Sequence, residues 1–194
     1  MLRLNDKFTP LHNNKKYSIV TGGRGSSKSF SIATQICLLT YEPEQVILFS
    51  RYTLTSASIS IIPEFQEKIN LLGLENDFKI NKADIINLKT ESKILFRGIK
   101  TSSGDQTANL KSIQGLSTWV FDEAEELTDE NKFDTINYSI RSEKVQNRVI
   151  LIMNPTTKEH FIYKRFFEAK GVEPGLNDSI DNVNYIHTTY LDNK

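Results

Sequence analysis

An α/β domain with a mainly parallel central sheet flanked by helices is the fold this sequence predicts, and three observations predict it. Short apolar, β-branched runs of strand length alternate with segments whose apolar residues recur at helical spacing. A glycine-rich turn, Gly22-Gly23-Arg24-Gly25, joins the first such strand to the first such helix. A later apolar strand, Trp119-Val120-Phe121, ends in two adjacent carboxylates, Asp122-Glu123.

Tyr17 to Thr21 reads as the first strand, stopped by Gly22-Gly23. A helix is predicted from about Ser29 to Tyr41, where Phe30, Ala33, Ile36, Cys37 and Thr40 recur at helical spacing before Pro43. Val46 to Ser50 is a continuous apolar run, as strands buried on both faces tend to be. The next helix carries Ile62, Phe65, Ile69 and Leu72, with Pro63 in its first turn or kinking it and Gly73 as its stop. The period then changes. Ile86 and Leu88, then Ile94 and Phe96, alternate about the polar turn from Lys89 to Lys93, which predicts a small antiparallel meander. Lys100 to Ser112 is polar and reads as a long exposed loop, a kind that is often functional. Thr118 to Phe121 is the next buried strand. A helix from about Asp129 to Arg141, capped by Thr128, places Phe133, Ile136, Asn137 and Ile140 on one face. Val149 to Met153 is a strand, Glu159 to Lys170 a helix, Gly171 to Asn182 a turn-rich loop, and Val183 to Tyr190 a last strand.

Composition narrows the class. A chain of 194 residues favours one domain, and 38% hydrophobic with 25% charged residues describes a folded chain rather than a disordered one. Lys+Arg and Asp+Glu both number 24, so any nucleic-acid contact must use a local patch and not a basic surface overall. The single cysteine, Cys37, excludes an internal disulfide framework and a Cys-rich zinc site; its apolar neighbours predict a buried thiol. His12, His160 and His187 are too dispersed to suggest a metal site. No apolar run approaches the ~20 residues of a membrane helix. The start, Met1 to Asp6, has no hydrophobic signal core, so an intracellular setting without a membrane partner is expected.

The run Gly22, Gly23, Arg24, Gly25, Ser26, Ser27, Lys28, Ser29 lies between the first strand and the first helix. The phosphate-loop pattern asks for Gly, four residues, then Gly-Lys-Ser/Thr. The first Gly, Lys28 and Ser29 are in register, while Ser27 stands at the second glycine position, where its Cβ must stay clear of phosphates. Glycines let backbone N–H groups converge on one point, and the following helix adds its positive end. Lys28 can then reach the β- and γ-phosphates of ATP and the Ser29 hydroxyl can bind Mg2+. The plain alternative is a glycine-rich turn with no ligand. With its strand, its Lys-Ser pair and its helix, the segment predicts a P-loop NTPase.

The carboxylates of Asp122 and Glu123 emerge at the sheet edge where α/β folds bind ligands. Asp122 would hold Mg2+ through its water shell, and Glu123 would polarise the water that attacks the γ-phosphate. Glu125, Glu126, Asp129 and Glu130 read as a solvated helix entrance. Asn154-Pro155 follows the strand Val149 to Met153; Asn154 is either placed to sense the γ-phosphate or part of an ordinary Asn-Pro turn.

Taken together these residues resemble the large subunits of tailed-phage terminases, the DNA-packaging motors. The resemblance covers nearly the whole chain. It rests on residues 22 to 29, on Trp119-Val120-Phe121-Asp122-Glu123-Ala124-Glu125-Glu126-Leu127, on Asn154-Pro155, on Thr188-Thr189-Tyr190-Leu191-Asp192-Asn193, and on the loop reaching Lys111-Ser112-Ile113-Gln114-Gly115. It implies an ATPase fold of the additional-strand, catalytic-glutamate type, working as a homo-oligomeric ring that pumps double-stranded DNA into a procapsid. Portal protein and small terminase subunit are the implied partners, and the host cytoplasm the implied location. By the same resemblance Lys28 and Ser29 bind phosphate and Mg2+, Asp122 is the metal-side aspartate and Glu123 the catalytic base. Arg24 matches a phosphate-loop arginine that acts on the γ-phosphate, where a guanidinium stabilises developing charge; a surface arginine is its plain alternative. Asn154 falls in the motif that couples hydrolysis to movement, which is Ser/Thr-rich in many relatives. Relatives also carry a C-terminal nuclease domain. Residues 1 to 194 are expected to be the ATPase domain alone, monomeric when isolated and without nuclease activity.

Two other readings share the phosphate loop: a helicase-like motor, and a nucleotide-binding switch without turnover. Glu123 argues against the switch, since a pure binder needs no base. Arg51, Arg97 and Arg141 are open as arginines supplied to a neighbour, Phe8 and Tyr17 as adenine-stacking or core residues, and Lys100 and Lys111 as DNA-facing or merely solvated.

Overall fold

The computed structural model describes residues 5–54, 57–101 and 104–192; Ser102-Ser103 of the expected loop and Asn193 of the terminal motif lie outside them. Among the described residues the chain forms β1 (Tyr17–Gly22), α1 (Lys28–Leu39), β2 (Val46–Thr53), α2 (Ala57–Leu71), β3 (Phe78–Ile80), β4 (Asp84–Asn87) and β5 (Lys93–Thr101). It continues with β6 (Gly104–Asp105), α3 (Thr107–Lys111), β7 (Thr118–Asp122), α4 (Glu130–Asn137), β8 (Arg148–Met153), α5 (Phe161–Phe166), β9 (Asp178–Ile180) and β10 (Val183–Thr188). No helix among them is long and apolar enough to cross a membrane.

The strands join in one sheet in the order β3-β4-β5-β2-β7-β8-β1-β10-β9, with β6 beside β5. From β5 across to β10 every pairing is parallel, and β3, β4, β6 and β9 add antiparallel margins. β8 is inserted between the phosphate-loop strand β1 and the acidic strand β7, which is the additional-strand arrangement.

Two apolar layers sandwich the sheet because alternate residues of each central strand point to opposite faces. On one face Ile19, Trp119, Phe121, Val149, Leu151 and Met153 pack with α4 and α5; on the other Val20, Val120, Ile150 and Ile152 pack with α1 and α2. Trp119 stacks on Phe121 at 5.4 Å and its indole N–H donates to Ser50 Oγ at 2.8 Å, so the largest buried ring carries no unsatisfied donor. Cys37 is buried, and burial pushes its thiol up to about 12, which leaves it a packing residue.

Several expectations need correction. The segment from Lys100 to Ser112 is not one long loop: it closes β5, forms β6 and holds α3, whose Leu110 is buried. α4 is capped by Asp129, whose side chain accepts from the Asn131 and Lys132 N–H groups, and not by Thr128; it ends at Asn137. α5 is capped by His160 and stops at Phe166. β9 lies inside the expected loop from Gly171 to Asn182. Of the two places left open for Pro63, the structure sets aside the first turn and puts it inside α2. The meander exists, and β5 pairs antiparallel with β4 on one edge and parallel with β2 on the other over the same residues from Lys93. β4 buries Ile85 and Asn87 in place of the expected Ile86 and Leu88, and Leu88 is exposed.

Candidate nucleotide-binding site

Parallel strands put the carboxyl ends of β1, β2, β7 and β8 on one edge, and register fixes who meets whom. Thr21 pairs with Met153, Asp122 with Ile152, and Ser50 with Phe121. The residues just past those pairs are Gly22, Asn154, Glu123 and Arg51. Around them opens a cavity of about 340 Å³ lined by the loop from Gly23 to Ser29, by Asp122, Glu123 and Glu125, and by Arg51 and Asn154.

The loop's glycines have separate reasons. A Cβ at Gly22 would lie 2.2 Å from the Thr188 carbonyl oxygen, because β10 runs hard against β1 there. At Gly23 and Gly25 an added Cβ would meet nothing within 4 Å, so that backbone is open towards the cavity. Ser27, where the pattern asks for glycine, has φ 62, a left-handed conformation that glycine adopts more readily. Ser26 Oγ donates to the Gly23 carbonyl at 2.8 Å. Lys28 Nζ donates to the carbonyls of Gly22 (2.5 Å) and Gly23 (2.9 Å) and to Ser26 Oγ (3.2 Å), so its ammonium sits inside the loop. Burial lowers the Lys28 pKa, opposed by the carboxylates of Glu125 and Asp122. Arg24 is exposed on the loop and lines the cavity.

On the acidic side, Asp122 is nearly buried and is held by Arg51: Nε donates to Oδ2 at 2.9 Å and Nη2 lies 2.7 Å from the same oxygen. Glu123 has φ 57, and this left-handed turn swings its side chain out of the strand into the open. Desolvation raises its pKa; Arg51 opposes that, and Asp122, Glu126 and Glu125 add to it. Asn154 Nδ2 donates to Glu125 Oε1 at 2.7 Å, while Glu125 Oε2 is buried with no hydrogen-bond partner.

Glu125 therefore does not belong with the solvated helix entrance; it lines the cavity, whereas Asp129 caps α4 and Glu130 pairs with Arg165. Of the three arginines left open, Arg51 lies inside the chain's own site, and Arg97 is spent on the carbonyls of Ala83 and Phe96. Arg141 is exposed and shares a separate polar cavity of about 350 Å³ with Lys111, in the connections leading into β7 and β8 at the opposite sheet edge. Phe8 is core, and Tyr17 begins β1, away from the site, with its hydroxyl on Asn137 Oδ1. The terminal motif gains a physical role. Asp192 Oδ2 accepts from the N–H (2.7 Å) and hydroxyl (3.1 Å) of Thr189 and from Lys7 Nζ (2.9 Å), and Asn5 donates to the Asp192 carbonyl. This turn ties the chain's start to the strand that abuts Gly22.

The donor set fits a triphosphate and a hard divalent ion. Ser29 and Asp122 offer oxygen ligands on one cavity, and a Mg2+ held by so few protein groups would take its remaining oxygens from phosphate and water.

Residues 14–194 match the family described as phage terminase large subunit. The chain belongs to that family. It is 28% identical over 152 residues to the PBSX phage terminase large subunit of Bacillus subtilis (strain 168), covering 78% of this chain and 34% of that protein. It is 26% identical over 210 positions to the large terminase subunit of Bacillus phage SPP1, covering 98% of this chain and 48% of that one. The terminase chain thus spans about half, or less, of the length of these relatives. Its fold is that of the large terminase from the thermophilic bacteriophage D6E, at a TM-score of 0.74 and 15% identity over 97% of this chain and 45% of that one. The D6E terminase has also been solved in complex with ADP, at a TM-score of 0.70 and 14% identity with the same coverage.

Proposed function

We propose that this chain is an ATPase domain that hydrolyses MgATP to drive double-stranded DNA into a viral procapsid. The observation that carries the reading is the meeting of Lys28-Ser29, Asp122-Glu123 and Asn154 on one cavity, with β8 between the two strands that bring the phosphate loop and the acids. Family membership and the ADP complex of the D6E terminase support it.

In this reading the loop's N–H groups and Lys28 bind the β- and γ-phosphates, and Ser29 and Asp122 hold Mg2+. The bound ion would neutralise charge on the phosphate oxygens. Glu123 takes a proton from a water whose oxygen bonds to the γ-phosphorus; the bond to the β–γ bridging oxygen breaks, and ADP and inorganic phosphate leave. Arg24, at the cavity mouth, stabilises charge on the transferred group. Asn154 reads the γ-phosphate through its bond to Glu125, which links hydrolysis to the connection after β8. DNA, portal protein, small subunit and further copies of the chain in a ring are the proposed partners, acting in the host cytoplasm.

The test is steady-state MgATP hydrolysis over a range of protein concentrations, beside Lys28→Ala. Phosphate release that Lys28→Ala lowers by roughly a hundredfold in kcat/KM is expected, a loss of about 2.7 kcal/mol. A specific rate that climbs with concentration marks a group supplied by a neighbour. ATP bound without turnover at any concentration would leave a switch or a motor that needs its partners, and absence of ATP binding would remove the phosphate-loop assignment.

A further inference from the structure

Asp122 is met from the neighbouring strand. Pairing of Ser50 with Phe121 sets the next residues of β2 and β7 side by side, so Arg51 reaches Asp122 although 71 positions separate them. Both guanidinium contacts, Nε at 2.9 Å and Nη2 at 2.7 Å, fall on Oδ2. The aspartate side chain is 5% exposed and that of Arg51 20%. Among the described residues no other ion pair reaches this carboxylate.

A carboxylate so withdrawn from water needs a cation, and the kind of cation matters. An ammonium would neutralise it as a point charge. A guanidinium is a rigid planar fork, so two of its N–H groups converging on Oδ2 hold that oxygen in place. The second oxygen, Oδ1, keeps its own lone pairs for another partner.

We propose that Arg51 is the positioning residue of the metal-side aspartate: by clamping Oδ2 of Asp122 it presents Oδ1 to the divalent ion shared with Ser29. The proposal rests on the ATPase reading above, in which Asp122 serves Mg2+. It gives Arg51 work inside its own subunit instead of a neighbour's site. In this role Arg51 acts through Asp122 and not on the nucleotide, so its loss alters the response to metal and spares nucleotide affinity in the absence of metal.

The test compares Arg51→Gln, Arg51→Lys and Asp122→Asn with the unaltered protein, using a fluorescent ATP analogue whose binding is followed in EDTA and then across a Mg2+ titration. Arg51→Gln is expected to raise the half-saturating Mg2+ about tenfold or more, in the range usual for loss of a group that orients a metal ligand. Its affinity in EDTA stays within about twofold. Arg51→Lys keeps the charge but lacks the fork, and is expected to recover only part of the metal response; it also serves if Arg51→Gln melts. An unchanged Mg2+ response in both variants would overturn the proposal. So would an equal fall of affinity in EDTA, which would put Arg51 on the nucleotide itself. If Asp122→Asn also leaves the Mg2+ response unchanged, Asp122 is not the metal-side group, and the proposal falls together with the reading beneath it.

Discussion

The phosphate loop and the acidic strand end face each other across one cavity, yet they are built in opposite ways. The loop is a contiguous run that offers mainly backbone, with Gly23 and Gly25 open to the cavity and Lys28 held by the loop's own carbonyls. The acidic end offers side chains, two of them fixed by groups far away in sequence: Asp122 by Arg51 and Glu125 by Asn154. Each region holds one non-glycine residue in the left-handed conformation, Ser27 at φ 62 and Glu123 at φ 57. At Ser27 the turn is what matters, and glycine would make it with less strain. At Glu123 the turn serves to aim a carboxylate, which glycine lacks. The same backbone angle is therefore expected to be replaceable in one region and not in the other.

The largest effect expected on the loop side is at Gly22. Its added Cβ would press on backbone, the Thr188 carbonyl 2.2 Å away, and not on a side chain that can turn aside. Gly22→Ala should lose about 2–3 kcal/mol of stability in denaturant melts, near the upper range for overpacking. A loss under about 0.5 kcal/mol would mean that β1 and β10 can separate freely there. Ser27→Gly is expected to act in the other direction and more weakly. Relief of left-handed strain, offset in part by glycine's greater freedom in the unfolded chain, should stabilise by about 1 kcal/mol or less. A clear destabilisation would show that the serine side chain matters more than its backbone.

The smallest effect separates the two regions by pH. Partial desolvation, together with the carboxylates of Asp122, Glu126 and Glu125 and against Arg51, raises the Glu123 pKa above the ordinary 4.5. A base must be ionised, so kcat should be full above that raised value and fall as pH drops through it. An acidic limb of the kcat–pH profile with its midpoint below 4.5 would contradict the environment described for Glu123.

The same contrast governs what the sequence makes legible. The loop could be read because its parts are neighbours in the chain: strand, glycines, Lys28, Ser29 and helix follow one another. The central strands and the buried faces of α1 and α4 could be read because apolar period survives in sequence. Arg51 could not be placed, because its role depends on β2 lying beside β7, a matter of strand order that no local spacing reveals. A partial signal existed: β2 continues past Ser50, and in a parallel sheet its next residue reaches the edge where Asp122 emerges. Glu125 was hidden for a similar reason, since only the insertion of β8 brings Asn154 to it. The short elements β3, β6, β9 and α3 carry too few residues for a period to show, and their form is set by what they pack against. Thr128 and Asp129 are both good helix caps, and only geometry chose between them.

Single-turnover conversion of bound MgATP by the unaltered chain and by Glu123→Gln tests the central claim most directly. Both proteins should bind the nucleotide with similar affinity. The unaltered chain should form ADP and phosphate, and Glu123→Gln should slow that step by at least about a hundredfold, the lower range for loss of a general base. Conversion at the same rate in both proteins would show that Glu123 is not the base and that the acidic strand end does not do the chemistry assigned to it.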